Sequence, residues 1–97
     1  MISIRLVERA GGFAEDKDVA RSIRTDELVP ALARGEEVEI SFAGVGLATQ
    51  SFVHALLSDV IRRQGEDVLD RILFADCNPS VQNLIEIVTE YSQENVD

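Results

Sequence analysis

Between Glu37 and Leu57 the chain changes its hydrophobic period from two to 3.6 within a few residues, which restricts it to folds built from strand–turn–helix units. Val38, Ile40 and Phe42 alternate with Glu39 and Ser41, as on a strand with one apolar face. Ala43 to Ala48 is a run of small residues containing Gly44 and Gly46, which lets the loop turn tightly toward Thr49. Thr49 and Ser51 then stand where a helix over Gln50–Gln64 begins, with Phe52, Val53, Leu56, Leu57, Val60 and Ile61 on its inward face and Gly65 closing it. A hydroxyl at a helix start caps free backbone N–H groups, and a phosphate there is stabilised by the same groups and by the helix dipole. Both readings of Ser51 follow from its position.

The rest of the chain repeats the unit. Ile2, Ile4 and Leu6 alternate with Ser3, Arg5 and Glu8, with Val7 out of phase, and predict a first strand ended by Ala10-Gly11-Gly12. Phe13 to Lys17 reads as a loop. Val19, Ala20, Ile23, Leu28, Ala31 and Leu32 predict helix between Asp18 and Arg34, kinked or split by Thr25-Asp26-Glu27 and Pro30 and stopped by Gly35. The second strand is expected over Glu37–Phe42. The third is expected over Arg71–Ala75, where Ile72, Leu73, Phe74 and Ala75 read as apolar on both faces. Asn78 and Pro79 predict the cap and first position of a last helix carrying Val81, Leu84, Ile85, Val88 and Tyr91 inward, ahead of a fraying acidic tail over 93–97.

The order β-α-β-α-β-α with short connections predicts one α/β domain over residues 1–97 with a mostly parallel sheet. Because the first two strands each have a polar second face, the helices should pack mainly on one side of that sheet. The other face would meet water, a partner, or a second copy of the chain.

Composition narrows the function. Eighteen acids against nine bases leave a formal net charge of −9 on 97 residues. Such a surface repels phosphate backbones and anionic lipids, so neither nucleic acid nor a membrane is an expected partner. A basic patch on a protein would suit it better, although the acidity also serves solubility. A single cysteine, Cys77, excludes an internal disulfide and a cysteine-based zinc site, and fits a reducing compartment. The apolar run in MISIRLVER is too short for a signal peptide, and no stretch approaches the about 20 apolar residues of a membrane span. A soluble cytoplasmic protein is expected.

Four pieces of the chain, in order, resemble the STAS-like domain family of small bacterial proteins, relatives of the anti-sigma-factor antagonist fold. They are Gly12-Phe13-Ala14 with Val19 to Arg24, Gly35 to Val45, Thr49-Gln50-Ser51-Phe52 with Leu56-Leu57, and Arg71 to Phe74 with Asn78-Pro79-Ser80-Val81 and Leu84-Ile85. The resemblance implies a small domain with its working edge at the loop after the central strand. In the STAS fold the helix beyond that loop carries a regulatory serine that a partner kinase phosphorylates, and the position that matches is Ser51. This chain departs from the STAS pattern in having Ser41 and Thr49 where an Asp is usual and Phe52 where a Gly is usual.

Three functions are weighed. The first is a non-enzymatic interaction module, binding an ATPase, a kinase or an anti-sigma-type regulator through Gly44, Gly46, Gln50, Phe52 and His54, with Ser51, or Thr49, as the gate. The alternative is a small ligand- or nucleotide-binding domain at the strand-end crevice, where Cys77 also lies. A hydrolase using Ser51 and His54 ranks last, because both stand on one helix with no strained nucleophile elbow. Gly11-Gly12 lacks any phosphate-loop pattern and is read as a turn. Glu36, Glu37 and Glu39 form an acidic patch that suits a solvated edge or a cationic partner. No cofactor and no metal are expected.

Overall fold

In the first strand, alternation gives way to packing after four residues. The structure, a computed structural model, describes residues 2–94. Strand β1 spans Ile2–Arg5 and is followed at once by a short helix, α1, over Leu6–Ala10. The strand expected to run on to Ala10-Gly11-Gly12 is therefore helical from Leu6. Two adjacent apolar residues explain the change, since Leu6 is fully buried and Val7 packs under Gly44, which a strand's alternating faces would not permit. The segment after Gly12 holds a two-residue strand, β2, over Phe13–Ala14, where a loop was expected.

Helix α2 covers Lys17–Ile23, capped by the Asp16 carboxylate, which accepts from the Asp18 N–H at 2.9 Å. A π-helical turn over Arg24–Leu28 and helix α3 over Val29–Ala33 complete the helical stretch. The irregularity expected ahead of Pro30 is thus a widened turn, in which the Val29 N–H donates to the Arg24 carbonyl five residues back. Gly35, at φ 80°, ends the stretch in the left-handed region as expected. The Arg71 guanidinium donates to the Leu32 carbonyl at 2.9 Å and satisfies that end of α3.

Strand β3 spans Val38–Ser41, and a two-residue strand, β4, covers Leu47–Ala48 within the small-residue connection. Helix α4 covers Gln50–Gln64, as the sequence predicts. A 3-10 turn over Glu66–Arg71 leads into β5, Ile72–Ala75, and helix α5 covers Pro79–Glu94. Asn78 caps α5, its Oδ1 accepting from the Val81 N–H at 2.8 Å. The expected fraying of the tail falls largely on residues 95–97, outside the described residues.

The main sheet has the order β1-β3-β5, all parallel, and β2 pairs with β4, also parallel. Ile4, Val38, Ile40 and Ile72 point from the main sheet into the core, where they join Phe42, Phe52, Leu56, Leu57 and Val88. On the opposite face Ser3, Glu39 and Leu73 stand in register across the three strands, with Ser3 donating to the Glu39 carboxylate at 2.9 Å. Helices therefore cover one face only. Leu73 corrects the reading of β5 as buried on both sides: it is 47% exposed, because β5 is an edge strand with no layer over its outer face.

Phe42 follows the central strand and is 1% exposed. Phe42→Ala is expected to cost about 3–5 kcal/mol, against the about 5–15 kcal/mol that stabilises a typical domain. A urea unfolding curve should show this as a fall in midpoint without a change in slope.

Candidate functional site

Two glycine turns, far apart in sequence, build one surface. The Gly12 carbonyl accepts from the Gly46 N–H at 2.9 Å and from the Leu47 N–H at 3.3 Å, and the Ala14 carbonyl accepts from the Thr49 N–H at 2.9 Å. Asn78 closes the third side, its Nδ2 donating to the Gly46 carbonyl at 3.0 Å while its Oδ1 caps α5. Gly44 sits at φ 83°, a conformation that favours glycine, and a Cβ there would also crowd the Val7 side chain at 3.1 Å. The loop from Gly44 to Thr49 is held by backbone bonds from β2 and by the start of α5.

At the end of this loop the hydroxyls divide their work. Thr49 is the cap, its Oγ1 accepting from the Phe52 N–H at 3.1 Å. Ser51 is exposed in the first turn of α4 and makes no side-chain hydrogen bond among the described residues. Of the residues expected to face a partner, Gly44, Gly46 and Gln50 are exposed and His54 is half-buried. Phe52 is corrected: it is fully buried and cannot touch a partner, because it anchors the helix start from within the core.

The structure adds residues that pattern reading passed over. Phe13 and Leu47 are register partners across β2 and β4 and are 49% and 58% exposed, an apolar pair beside the glycine loop. Each stood in a segment read as loop, where no alternation marks a face. Asp76, left-handed at φ 58°, ends β5 and brings its carboxylate within 3.4 Å of the buried Ser41 hydroxyl at the end of β3. A carboxylate thus stands at this strand end, supplied by the neighbouring strand. Cys77 follows it. Burial pushes the Cys77 thiol above its ordinary pKa, and the Asp76 charge pushes it further, so the thiolate is disfavoured.

His54 does not pair with Ser51. Its Nδ1 lies 3.4 Å from the hydroxyl of Ser58, which is 4% exposed. Glu36 bonds to Arg34 at 2.7 Å and Glu39 to Ser3, so two of the three acids of the patch are engaged within the chain. Among the described residues no group of three or more His, Cys, Asp and Glu could hold a metal ion. No helix of the described residues is long and apolar enough to cross a membrane.

On the other side of Ser51, α2 and α4 leave an open groove of about 660 Å³ lined by Lys17, Arg21, Arg24, Ser51, His54 and Arg62. The spacing of Lys17, Arg21 and Arg24, at i, i+4 and i+7, was a legible sign of a cationic helix face.

These features define a small parallel α/β domain, helices on one face, with its strand-end loop and following helix start presented to solvent. A family model described as a STAS-like domain of unknown function matches residues 20–82, and the chain belongs to that family. No curated protein and no solved structure gave a significant match.

The division between the two hydroxyls can be measured. Thr49→Ala should destabilise the domain by about 1 kcal/mol, whereas Ser51→Ala should change stability by less than about 0.5 kcal/mol, both read from denaturant midpoints. For Cys77, a raised pKa keeps the thiol protonated at neutral pH. Alkylation by iodoacetamide should be slow there and rise with pH along a curve displaced above that of free cysteine. Asp76→Asn, tolerated at a left-handed position, should move that curve down.

Proposed function

We propose that this protein is a non-enzymatic regulatory module of the bacterial cytoplasm that binds a protein partner through the Gly44–Gln50 loop and the start of α4. The partner class implied by the resemblance to anti-sigma-factor antagonists is an ATPase, a kinase or an anti-sigma-type regulator. Ser51 is the gate. One observation carries this reading: Thr49 caps α4, which leaves the Ser51 hydroxyl exposed and unused in the first turn. A hydroxyl committed to capping would lose its bond on modification, whereas one standing free beside the same N–H groups can take a phosphate without unfolding the helix.

The neighbouring surface suits docking. Phe13 and Leu47 supply exposed apolar area beside the glycine loop that leads to Ser51, and that loop is fixed by backbone hydrogen bonds, so little ordering cost falls on binding. A phosphoryl dianion at Ser51 would act on a partner by repulsion and occlusion. The non-enzymatic reading is supported by His54 lying beside the buried Ser58 and by the raised thiol pKa of Cys77, since neither arrangement activates a nucleophile.

Affinity capture from the native host with wild-type, Ser51→Ala and Ser51→Asp baits tests the proposal. Wild type and Ser51→Ala should retain the same partner, and Ser51→Asp should lose it. Equal capture by all three would remove the gate while leaving the binding module, and capture by none would remove the module itself.

A further inference from the structure

The chain carries twice as many acids as bases, yet four of its nine bases line one groove. Lys17 and Arg21 on α2, with Arg24 at the start of the π-helical turn that follows, form one wall, and Arg62 stands toward the far end of the α4 wall. Asp59 is the one carboxylate among the lining residues, and it is paired with Arg63 at 3.3 Å. Each helix is entered from a strand of the parallel β2–β4 pair. Arg24 also ties the two walls together, donating to the Ala55 carbonyl at 2.9 Å.

The cations are little neutralised from within. Arg21 reaches Asp18 at 3.6 Å, but both side chains are largely exposed, and such a pair contributes little. Among the described residues Lys17 and Arg24 have no carboxylate within ion-pairing distance. Asp16 and Asp18 flank Lys17 as exposed neighbours, and charges beyond a Debye length of about 10 Å are screened at ordinary ionic strength.

The shape of the charge selects the ligand. From Lys17 to Arg24 the α2 wall rises about 10 Å, and from Ser51 to Arg62 the α4 wall rises about 16 Å, at 1.5 Å per residue. One phosphate cannot engage cations spread over that length, whereas about five extended residues, at 3.3 Å each, span it. We propose that the α2–α4 groove binds an extended Asp- and Glu-rich segment of a partner protein. This rests on the reading of the chain as a protein-binding module and names the chemistry of the partner. Ser51 lines the same groove, so a phosphate on it would compete with the segment's carboxylates for Lys17 and Arg21.

A fluorescein-labelled octapeptide of glutamate, with its glutamine counterpart as control, tests the proposal by fluorescence anisotropy. The glutamate peptide should bind, the glutamine peptide should not, and affinity should fall as salt rises. Lys17→Glu/Arg21→Glu, both at exposed positions, should weaken binding by about tenfold or more, as reversal of paired charges does. Arg5→Glu, away from the groove, should leave it unchanged. The proposal is overturned if the glutamate peptide does not bind, or if Arg5→Glu weakens it as much as the groove variant. It is equally overturned if inorganic phosphate displaces the peptide as well as free glutamate peptide does, which marks a phosphate site. A dimer in sedimentation that Lys17→Glu/Arg21→Glu dissolves would mark a second copy as the occupant and overturn it too. The peptide assay does not depend on Ser51 gating: peptide binding alongside capture indifferent to Ser51→Asp fails the gate alone, and capture without peptide binding fails the groove alone.

Discussion

Parallel pairing of β3 with both β1 and β5 is the constraint on which the other features depend. Parallel neighbours cannot be joined by a hairpin, so the chain must cross back over the sheet between them, and right-handed crossovers put their helices on one side. Every strand then ends at the same edge. Ser41 and Asp76 meet there, the glycine loop leaves from there, and α4 and α5 both begin there. The bond from the Gly12 carbonyl to the loop, and that from Asn78, fasten structure that parallel topology has already brought together.

That arrangement yields two surfaces of different chemistry. The β2–β4 pair presents Phe13 and Leu47, apolar and half-exposed; the α2–α4 groove presents Lys17 and Arg21 beside Ser51. An acidic protein thereby presents a surface of opposite local character to its average. Sign and position of individual charges, not their sum, decide what can approach within a few ångströms.

Much of the architecture could be read from the chain. The bounds of α4, the Asn78 cap, the Gly35 stop and the one-sided helix layer were all visible, because each rests on local periodicity or on a residue with a single conformational role. Family membership was legible too, through four short pieces kept in order. What escaped was tertiary. Leu6 and Val7 look like the end of a strand until the core claims one and Gly44 the other. Strands of two residues carry no period at all, so β2 and β4, and with them the exposed Phe13–Leu47 pair, were invisible. Phe52 was assigned both to the inward face of α4 and to the partner surface; burial decides for the first.

The widened turn at Arg24–Leu28 was the subtlest of these signals. Buried positions step from Ala20 to Ile23 and then to Leu28, a stride of five where an ideal helix takes three or four. The extra residue turns Glu27 outward, where it meets Arg9, and brings Leu28 inward, so that Ala31 and Leu32 stay in phase with the core despite Pro30. Such a turn accommodates one more residue than a regular helical turn without adding a loop. A relative with a regular helix here would align to this chain only across a single-residue gap inside a helix, and closing that gap by eye would put every core position beyond it out of register.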